Sequence, residues 1–272
     1  MINKKLVCVI CKGKQLKLIK KIVEKPSVEV DYNIPPNQYL RHIYHCLDCG
    51  VYYNHHNLLD NNFYNNTYNK SIEDGIINKR FERIIKINSK NSDNKNRVKR
   101  IDNFCRGKLS KDKNVLDIGS GTCVFLYEMK KLGFKTYCID PDHSAINHAE
   151  KVVKVNGAYH GNLLNIKINK RFELITFNKV LEHLVNPIEH LKKTRDYLKN
   201  NGILYIELPE GDRIIAKNKI ENRSEFAIEH YTIYNNKSIN NLLSESGFNM
   251  LQSEVITDPS GKYTIYAFAN LM

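Results

Sequence analysis

Residues 115–123 read Val-Leu-Asp-Ile-Gly-Ser-Gly-Thr-Cys, a short apolar run that ends in a loop with two glycines. The run predicts a buried strand, and Gly119 and Gly121 let the backbone turn sharply and approach a ligand closely. Asp117 lies on the strand itself, and Asp140 follows Gly121 by 19 residues. A carboxylate at the end of the next strand can accept hydrogen bonds from both hydroxyls of a ribose. The stretch therefore predicts a site for a nucleotide-like ligand.

Strands and helices alternate from residue 114 onward. We expect strands over 114–118, 135–140, 158–160, 172–179, 203–208, 248–256 and 263–269, and helices over 122–132, 143–155, 187–199 and 236–246. Such alternation is typical of a parallel sheet covered by helices on both faces. The last two strands flank Asp-Pro-Ser-Gly at 258–261, a turn sequence, so they pair antiparallel. The predicted class is α/β, with a Rossmann-like, mostly parallel seven-stranded sheet and a C-terminal antiparallel hairpin.

This assembly resembles the class I S-adenosylmethionine-dependent methyltransferases, whose first motif is acidic-x-Gly-x-Gly-x-Gly. Here Cys123 occupies the place of the third glycine, so we expect a less close backbone approach but not lost binding. Val124 breaks the G-x-G-x-x-G pattern of dehydrogenases. The resemblance implies that S-adenosylmethionine is the cofactor and that it is held by Asp117, Gly119, Ser120, Gly121, Asp140, Pro141, Asn162, Leu163 and Asn178.

The residues after the fourth predicted strand bear on the methyl acceptor. Residues 178–181 read Asn-Lys-Val-Leu, which lacks the Asn-Pro-Pro-aromatic motif of amino-DNA methyltransferases, and the chain contains no Pro-Cys dipeptide like that of the cytosine-5 enzymes. Further on, Glu229 and His230 resemble a Glu-His pair of the deoxysugar methyltransferases, which implies a catalytic role for both. Histidine suits proton removal near neutral pH. The alternative for His230 is a structural role in local packing. For His183 we favour this structural role.

The sequence leaves several classes of methyl acceptor open. A zinc module ahead of this fold occurs both in deoxysugar C-methyltransferases and in a set of ribosomal RNA guanine methyltransferases. The sugar enzymes continue beyond this fold, whereas the sequence stops at Met272, and Ala227 stands where they often have an aromatic residue. Methylation of oxygen or nitrogen is therefore expected as readily as methylation of carbon. Tyr64 and Tyr68 resemble lid tyrosines that close over the cofactor.

We predict an S-adenosylmethionine-dependent methyltransferase that acts on a small molecule, a nucleotide-linked sugar or a surface-polysaccharide precursor, with His230 as the base. The alternatives are an RNA methyltransferase with a zinc module and a non-catalytic scaffold. Residues 1–110 contain 21 Lys and Arg against 10 Asp and Glu, a surplus that attracts phosphate-bearing partners. An AT-rich genome would produce the same lysine content, so charge alone does not favour RNA.

Four of the seven cysteines form two C-x2-C pairs, Cys8 with Cys11 and Cys46 with Cys49. Two such turns can direct four thiolates at one ion, which predicts a tetrahedral zinc site. Four cysteine ligands leave no position for water, so the zinc is expected to be structural. Because zinc knuckles often need a left-handed residue after the second cysteine, we expect Gly13 and Gly50 to adopt positive φ.

The organisation expected is a zinc-ribbon-like module over 1–60, a helical linker or lid over 61–110 and the methyltransferase domain over 111–272. No apolar run approaches the length of a membrane span. The start of the sequence has only five apolar residues in a row, too few for a secretory signal, so we expect a cytoplasmic protein.

Overall fold

The computed structural model describes residues 6–56, 58, 74–217 and 220–272. The strands are β1 (Leu16–Ile22), β2 (Arg41–Cys46), β3 (Tyr52–His55), β4 (Asn114–Ile118), β5 (Lys135–Asp140), β6 (Gly157–His160), β7 (Phe172–Asn178), β8 (Leu198–Pro209), β9 (Thr232–Ile233), β10 (Phe248–Thr257) and β11 (Tyr263–Leu271). The helices are α1 (Asp74–Ile85), α2 (Asp93–Cys105), α3 (Val124–Lys131), α4 (His143–His148), α5 (Pro187–Thr194), α6 (Asp212–Ala216) and α7 (Asn236–Glu245).

The larger sheet has seven strands in the order β10-β11-β8-β7-β4-β5-β6. The five strands from β8 to β6 run parallel, whereas β11 pairs antiparallel with both β8 and β10. The predicted fold class is confirmed. Apolar side chains alternate between the two faces, so Leu116 packs on one side and Val115 on the other, in two separate parts of the core. Helices cover both faces, which is why the strands are apolar at nearly every position.

The smaller sheet has the order β1-β2-β3-β9 and is antiparallel throughout. Its fourth strand does not come from the N-terminal part of the chain, because β9 lies between β8 and α7. Tyr52 of β3 pairs with Ile233 of β9. The buried Cys46 and Val51 also share a core with Tyr234. The strands β1 to β3 are therefore joined to the rest of the chain by both a shared sheet and a shared core.

The helices α1 and α2 pack on the face of the large sheet that also carries α3. Ser92 caps α2, since its hydroxyl accepts a hydrogen bond from the Lys95 amide at 3.3 Å. Arg97 of α2 donates through Nε to Glu207 of β8 at 2.8 Å, and both residues are buried. An ion pair inside the fold thus fixes α2 to the sheet.

The structure differs from the sequence prediction between α5 and β8. The helix ends at Thr194 rather than near residue 199, and β8 begins at Leu198 rather than at 203. The Asn-Gly pair at 201–202, which we expected to end the helix, lies instead in an irregularity of β8, where the register with β7 shifts. Glycine and asparagine favour such bulges as much as helix ends, so the sequence signal was ambiguous.

The helix expected over 143–155 is also interrupted, because α4 gives way to a π-helical segment, Ala149–Val153. None of the helices in the described ranges is both long and apolar enough to cross a membrane. The proposed lid tyrosines Tyr64 and Tyr68 lie outside the residues that the structure describes.

Candidate active site

A cavity of about 790 Å³ opens at the carboxyl ends of the parallel strands, beside the loop that follows β4. In doubly wound sheets this edge collects ligands, because strand order reverses there and leaves a crevice. The structure brings all nine predicted cofactor residues to the wall of this cavity: Asp117, Gly119, Ser120, Gly121, Asp140, Pro141, Asn162, Leu163 and Asn178. It also places Glu229 and His230 on the same wall.

The loop after β4 follows a path that requires left-handed residues. Gly119 has φ +73° and Gly121 has φ +49°. A Cβ at Gly119 would lie 2.7 Å from Val180 Cγ2, whereas a Cβ at Gly121 would meet nothing within 4 Å. Gly121 therefore presents bare backbone to the open cavity.

Cys123 is left-handed as well, with φ +58°, at the position where the family has its third glycine. Its side chain is buried in the core against Cys138 and does not line the cavity. The thiol therefore does not occupy the cavity side of the loop, and the less close backbone approach that we expected stays a prediction.

Asp140 ties the glycine loop to the end of β5. The Gly121 amide donates to its Oδ2 at 2.8 Å, and the Asp142 amide donates to its Oδ1 at 2.9 Å. Burial raises the pKa of Asp140 to about 6. Each carboxylate oxygen keeps a second lone pair, so a ribose hydroxyl can still donate to it.

Asp117 lies deeper, at the floor of the cavity. Its Oδ1 accepts hydrogen bonds from the Thr176 hydroxyl at 2.7 Å and from Asn178 Nδ2 at 2.8 Å. Burial raises the pKa of Asp117 to about 7, in spite of these two donors. The carboxylate is poorly solvated, and a cation placed beside it would favour its charged form.

The residues that follow β6 form another part of the cavity wall. Leu163 is buried, whereas Asn162 is exposed and its Oδ1 accepts a hydrogen bond from the Leu164 amide at 2.9 Å. His160 contacts the Pro141 carbonyl through Nε2 at 3.0 Å. One lone pair of the Asn162 carbonyl oxygen thus stabilises its own turn, and the other can accept from a ligand.

Two histidines meet at the far end of the cavity. The ring centroids of His183 and His230 lie 4.6 Å apart, edge to face. His183 Nδ1 lies 3.1 Å from the Glu229 carbonyl oxygen, and His230 Nδ1 lies 2.9 Å from that of Glu225. Burial lowers the pKa of His183 to about 4 and that of His230 well below its usual range. Both imidazoles are therefore neutral at pH 7, with the hydrogen on Nδ1.

Glu182 is a residue of this wall to which the sequence argument assigned no role. Its side chain is 0% exposed, and neither carboxylate oxygen has a hydrogen-bond partner among the described residues. Burial raises the pKa of Glu182 to about 7. The run Leu-Glu-His at 181–183 carries no local signal that its glutamate turns inward.

Positive side chains also line the cavity: Arg80, Arg97, Lys179 and Lys262. Lys179 donates to the Thr264 hydroxyl at 2.6 Å, and burial lowers its pKa. Spacing along the chain could not have assigned α1 and α2 to this wall, because α1 packs on α3 and α4 and α2 is paired with the distant β8.

The four predicted zinc ligands converge at one point. Cys8 Sγ lies 3.5 Å from Cys49 Sγ, and Cys11 Sγ lies 3.6 Å from Cys46 Sγ. Sulfur atoms around a tetrahedral zinc with bonds of about 2.3 Å are about 3.8 Å apart, so the cluster fits the ion. The left-handed residues of the two knuckles are Lys12 and Gly50, so the expectation for Gly13 was wrong by one residue.

Comparison with known proteins agrees with this geometry. A family model described as a methyltransferase domain matches residues 90–253, more than half of the chain. A tRNA U34 carboxymethyltransferase from Shewanella sp. (strain W3-18-1) is 32% identical over 103 residues, which are 35% of this chain and 31% of that protein. The mitochondrial ubiquinone biosynthesis O-methyltransferase of Schizosaccharomyces pombe is 30% identical over 101 residues, 35% of this chain and 37% of that protein. The matched region thus spans about a third of these relatives' length.

Solved structures share the fold at low sequence identity. The glycopeptide N-methyltransferase MtfA complexed with S-adenosyl-L-methionine has a TM-score of 0.52 at 13% identity, covering 65% of this chain and 93% of that one. An S-adenosylmethionine-dependent methyltransferase from Clostridium acetobutylicum has a TM-score of 0.52 at 16% identity, and the match covers 76% of this chain and 99% of that one. The family match shows that the chain belongs to the methyltransferase-domain family, and the sheet order and these likenesses show that it has the fold of S-adenosylmethionine-dependent methyltransferases.

Proposed function

We propose that the protein methylates a small molecule, a nucleotide-linked sugar or a surface-polysaccharide precursor. The observation that carries this proposal is the continuity of one cavity, which runs from the glycine loop after β4 to the pair His183 and His230. Its volume of about 790 Å³ falls within the range of small-molecule sites. The cofactor and a compact acceptor can therefore occupy it together.

The chemistry of the far end favours a polar acceptor. Ser224, Glu225, Glu229 and Lys262 line it together with the two histidines, and they offer both donors and acceptors to hydroxyl groups. Arg80 and Lys262 supply positive charge of the kind that a phosphate group attracts. A sugar linked to a nucleotide satisfies both requirements.

The nine wall residues fit the cofactor in the roles that the family resemblance implies. S-adenosylmethionine supplies a methyl group bonded to a positively charged sulfur, which makes that carbon a good electrophile. Asp117 is placed to attract the ammonium of the cofactor's amino acid part, and Asp140 to accept from its ribose. The bare backbone of Gly121 leaves room for the ligand, since a Cβ there would meet no atom within 4 Å.

The proposed base is His230, with Glu229 beside it. The bond from His230 Nδ1 to the Glu225 carbonyl orients the ring and leaves the lone pair on Nε2. Because burial lowers the pKa of His230, the ring is neutral and can accept a proton from the acceptor. Alignment by the surrounding wall supplies the rest of the rate enhancement.

Two measurements test the proposal. Isothermal titration with S-adenosylmethionine and with S-adenosylhomocysteine is expected to show binding, which Asp140→Ala weakens at least about tenfold because a charged hydrogen-bond acceptor is lost. Asp196→Ala, an exposed change outside the cavity, is the matched control. Transfer of labelled methyl groups to a panel of nucleotide-linked sugars then tests the acceptor. Cofactor binding without transfer to any sugar in the panel contradicts the sugar assignment.

An RNA acceptor is the second candidate, favoured by the similarity to tRNA-modifying relatives and by the basic surplus of residues 1–110. It predicts transfer of labelled methyl groups to total RNA, with an affinity that falls steeply as salt rises. A non-catalytic scaffold predicts no transfer to either class, and a cofactor bound to the purified protein would exclude it in its strict form.

We also propose that the four cysteines hold a structural zinc and that the chain divides near residues 60 and 110, as the sequence indicates. Elemental analysis is expected to find one zinc per chain.

Four thiolates on a metal persist in a reducing compartment, which supports a cytoplasmic location. Cell fractionation tests that location.

A further inference from the structure

We propose that Glu182, His183 and His230 form a second metal site, which holds a divalent transition-metal ion at the acceptor end of the cavity. This site is separate from the cysteine cluster. It rests on the proposed function in one respect, because its three residues face the space assigned to the acceptor.

The three side chains converge from two segments of the chain. One ligand atom from each residue lies within 4.8 Å of the ligand atoms of the other two. The segments are fastened to each other, since the Tyr231 amide donates to the Glu182 carbonyl oxygen at 2.7 Å. Bonds of about 2.1 Å to one ion would draw the three atoms closer by small side-chain rotations.

Both imidazoles are oriented as metal ligands are. Each Nδ1 points at a backbone carbonyl, that of Glu229 for His183 and that of Glu225 for His230. A carbonyl oxygen only accepts, so in the neutral rings Nδ1 carries the hydrogen and Nε2 carries the lone pair. A second bond of this kind, which fixes the tautomer and the ring plane, is the usual support of a histidine that ligates a metal.

Glu182 provides the independent observation. Its side chain is 0% exposed, and both of its oxygens lack a hydrogen-bond partner in the described part of the chain. The nearby cation, Lys179, donates to the Thr264 hydroxyl instead. A buried carboxylate without donors is costly, so native proteins pair it or coordinate it. A cation between Glu182 and the two rings would satisfy it.

The donor set indicates the kind of ion. Two imidazole nitrogens with one carboxylate suit manganese, iron, cobalt or zinc, whereas magnesium and calcium prefer oxygen alone. The four-sulfur cluster selects zinc. The two sites therefore differ in chemistry, and manganese added to the zinc-loaded protein is expected to bind only at Glu182, His183 and His230.

A bound cation would change one assignment made above. His230 would then be a metal ligand and not the base. The cation would lower the pKa of an acceptor hydroxyl. The acceptor oxygen would release its proton to Glu229 and bond to the methyl carbon. The carbon–sulfur bond of the cofactor would break, and S-adenosylhomocysteine would leave as a neutral thioether.

Manganese titration of the zinc-loaded full chain, followed by the electron paramagnetic resonance of free manganese, tests the site. One manganese per chain is expected, with an affinity that Glu182→Gln and His183→Ala each weaken at least about tenfold. Glu189→Gln, an exposed change in α5, is the matched control and is expected to bind as the wild type does. Equal affinity in all four proteins, or no binding at all, overturns the proposal.

Thermal melting gives a readout that does not depend on activity. Without added manganese, Glu182→Gln is expected to raise the melting temperature, because it removes a buried charge. With manganese, the wild type is expected to gain stability and Glu182→Gln is not. A manganese-independent melting temperature in the wild type contradicts the site.

Activity separates this proposal from the function on which it rests. Removal of the loosely held metal is expected to abolish methyl transfer while titration still shows cofactor binding, and manganese is expected to restore transfer. If transfer survives metal removal and His230→Ala abolishes it, His230 is the base and the second metal site is rejected. Loss of cofactor binding in the wild type would instead defeat the proposed function.

Discussion

Gly121 illustrates how one missing side chain shapes the cofactor site. We expect Gly121→Ala to lower the free energy of unfolding by about 1 kcal/mol, because a left-handed residue with a Cβ is strained, and to weaken cofactor binding at least about tenfold, because the methyl group projects into the cavity. Gly107→Ala is the matched control. Gly107 has φ +76° and open space around its Cβ position, but it lies outside the cavity.

The two glycine variants are thus expected to lose similar stability in urea unfolding and to differ in calorimetric cofactor affinity. If both bind the cofactor like the wild type, Gly121 is not in contact with it.

Asp117 makes the stability of the cofactor-free protein depend on pH. Burial raises its pKa from 3.8 to about 7, so the folded protein holds this proton more tightly than the unfolded chain does. Its ionisation therefore costs no stability below pH 4, and the cost grows as the pH rises through 7. We expect Asp117→Asn to raise the melting temperature at pH 8 and to leave it unchanged at pH 4, because asparagine can still accept from Thr176 and Asn178.

Cofactor affinity is expected to show the opposite trend. The ammonium of the cofactor needs the ionised carboxylate, so affinity rises with pH through 7 in the wild type and stays flat and low in Asp117→Asn. Melting at pH 4, 6 and 8 checks the sign for stability, and titration at pH 5, 6, 7 and 8 checks the sign for affinity. Parallel pH profiles in the two proteins would remove Asp117 from the site.

At the scale of elements, α2 depends on a buried ion pair rather than on an apolar stripe alone. Arg97 and Arg100 both contact Glu207 of β8, and Glu207 is 0% exposed. We expect Arg97→Met to destabilise the protein by about 3–5 kcal/mol, because part of the buried charge on Glu207 loses its partner. Arg106→Met, at the residue that follows α2, breaks an exposed pair with Asp102 and is expected to cost less than about 1 kcal/mol.

Urea unfolding of the two arginine variants measures the difference. Because the paired arginines hold the pKa of Glu207 far below its usual range, the stabilisation is present at neutral pH and is lost only in strong acid. Equal effects of the two substitutions would show that the pair with Glu207 does not anchor α2.

The elements that could be predicted from the sequence are those with a strong local signal. The strand and loop around Gly119 and the hairpin around 258–261 follow from apolar runs and turn residues, and the structure has both. The end of α5 was misplaced because Asn-Gly fits a bulge as well as a helix end. The strand β9 has two residues and exists only through its pairing with β3, so no local pattern shows it.

The residues of the candidate site could likewise be predicted where a local signal marks them. Residues next to strand ends, such as Asp117 and Asp140, were found because topology alone places them at one edge. Glu182 and Arg97 were missed, because their inward orientation depends on contacts between segments far apart in the chain. Motif spacing identifies residues at the glycine-loop end of the cavity, whereas the arrangement at the far end depends on long-range packing.

At the scale of the whole molecule, the small sheet with its cysteine cluster is connected to the far end of the cavity, the proposed acceptor site. The small sheet holds the segment that carries Glu229 and His230 through several bonds. The Asn54 amide donates to the Tyr231 carbonyl oxygen at 2.9 Å, and Asn54 Nδ2 donates to that of Ala227 at 3.1 Å. Arg41 donates to the Phe226 carbonyl oxygen from a fully buried position. Cys46 and Cys49 of the cysteine cluster lie where β2 turns into β3, and these two strands carry Arg41 and Asn54.

Release of the zinc is therefore expected to damage acceptor turnover more than cofactor binding. The glycine loop, Asp117 and Asp140 belong to the large sheet, so calorimetric affinity for S-adenosylhomocysteine is expected to stay within about twofold. The kcat/KM for the acceptor is expected to fall about 10- to 100-fold. The residues around His230 would shift slightly, and a small misalignment of the acceptor lowers the rate steeply. Zinc loss is followed by a colorimetric chelator, and added zinc is expected to restore turnover.

Cys105→Ala provides the control, since Cys105 is the buried last residue of α2 and is not one of the four clustered thiols. This variant is expected to retain one zinc per chain and the wild-type response to its release. A fall in cofactor affinity as large as the fall in kcat/KM would mean that zinc supports the large sheet as a whole. Equal turnover with and without zinc would mean that the contacts of Asn54 and Arg41 hold the acceptor segment without help from the metal.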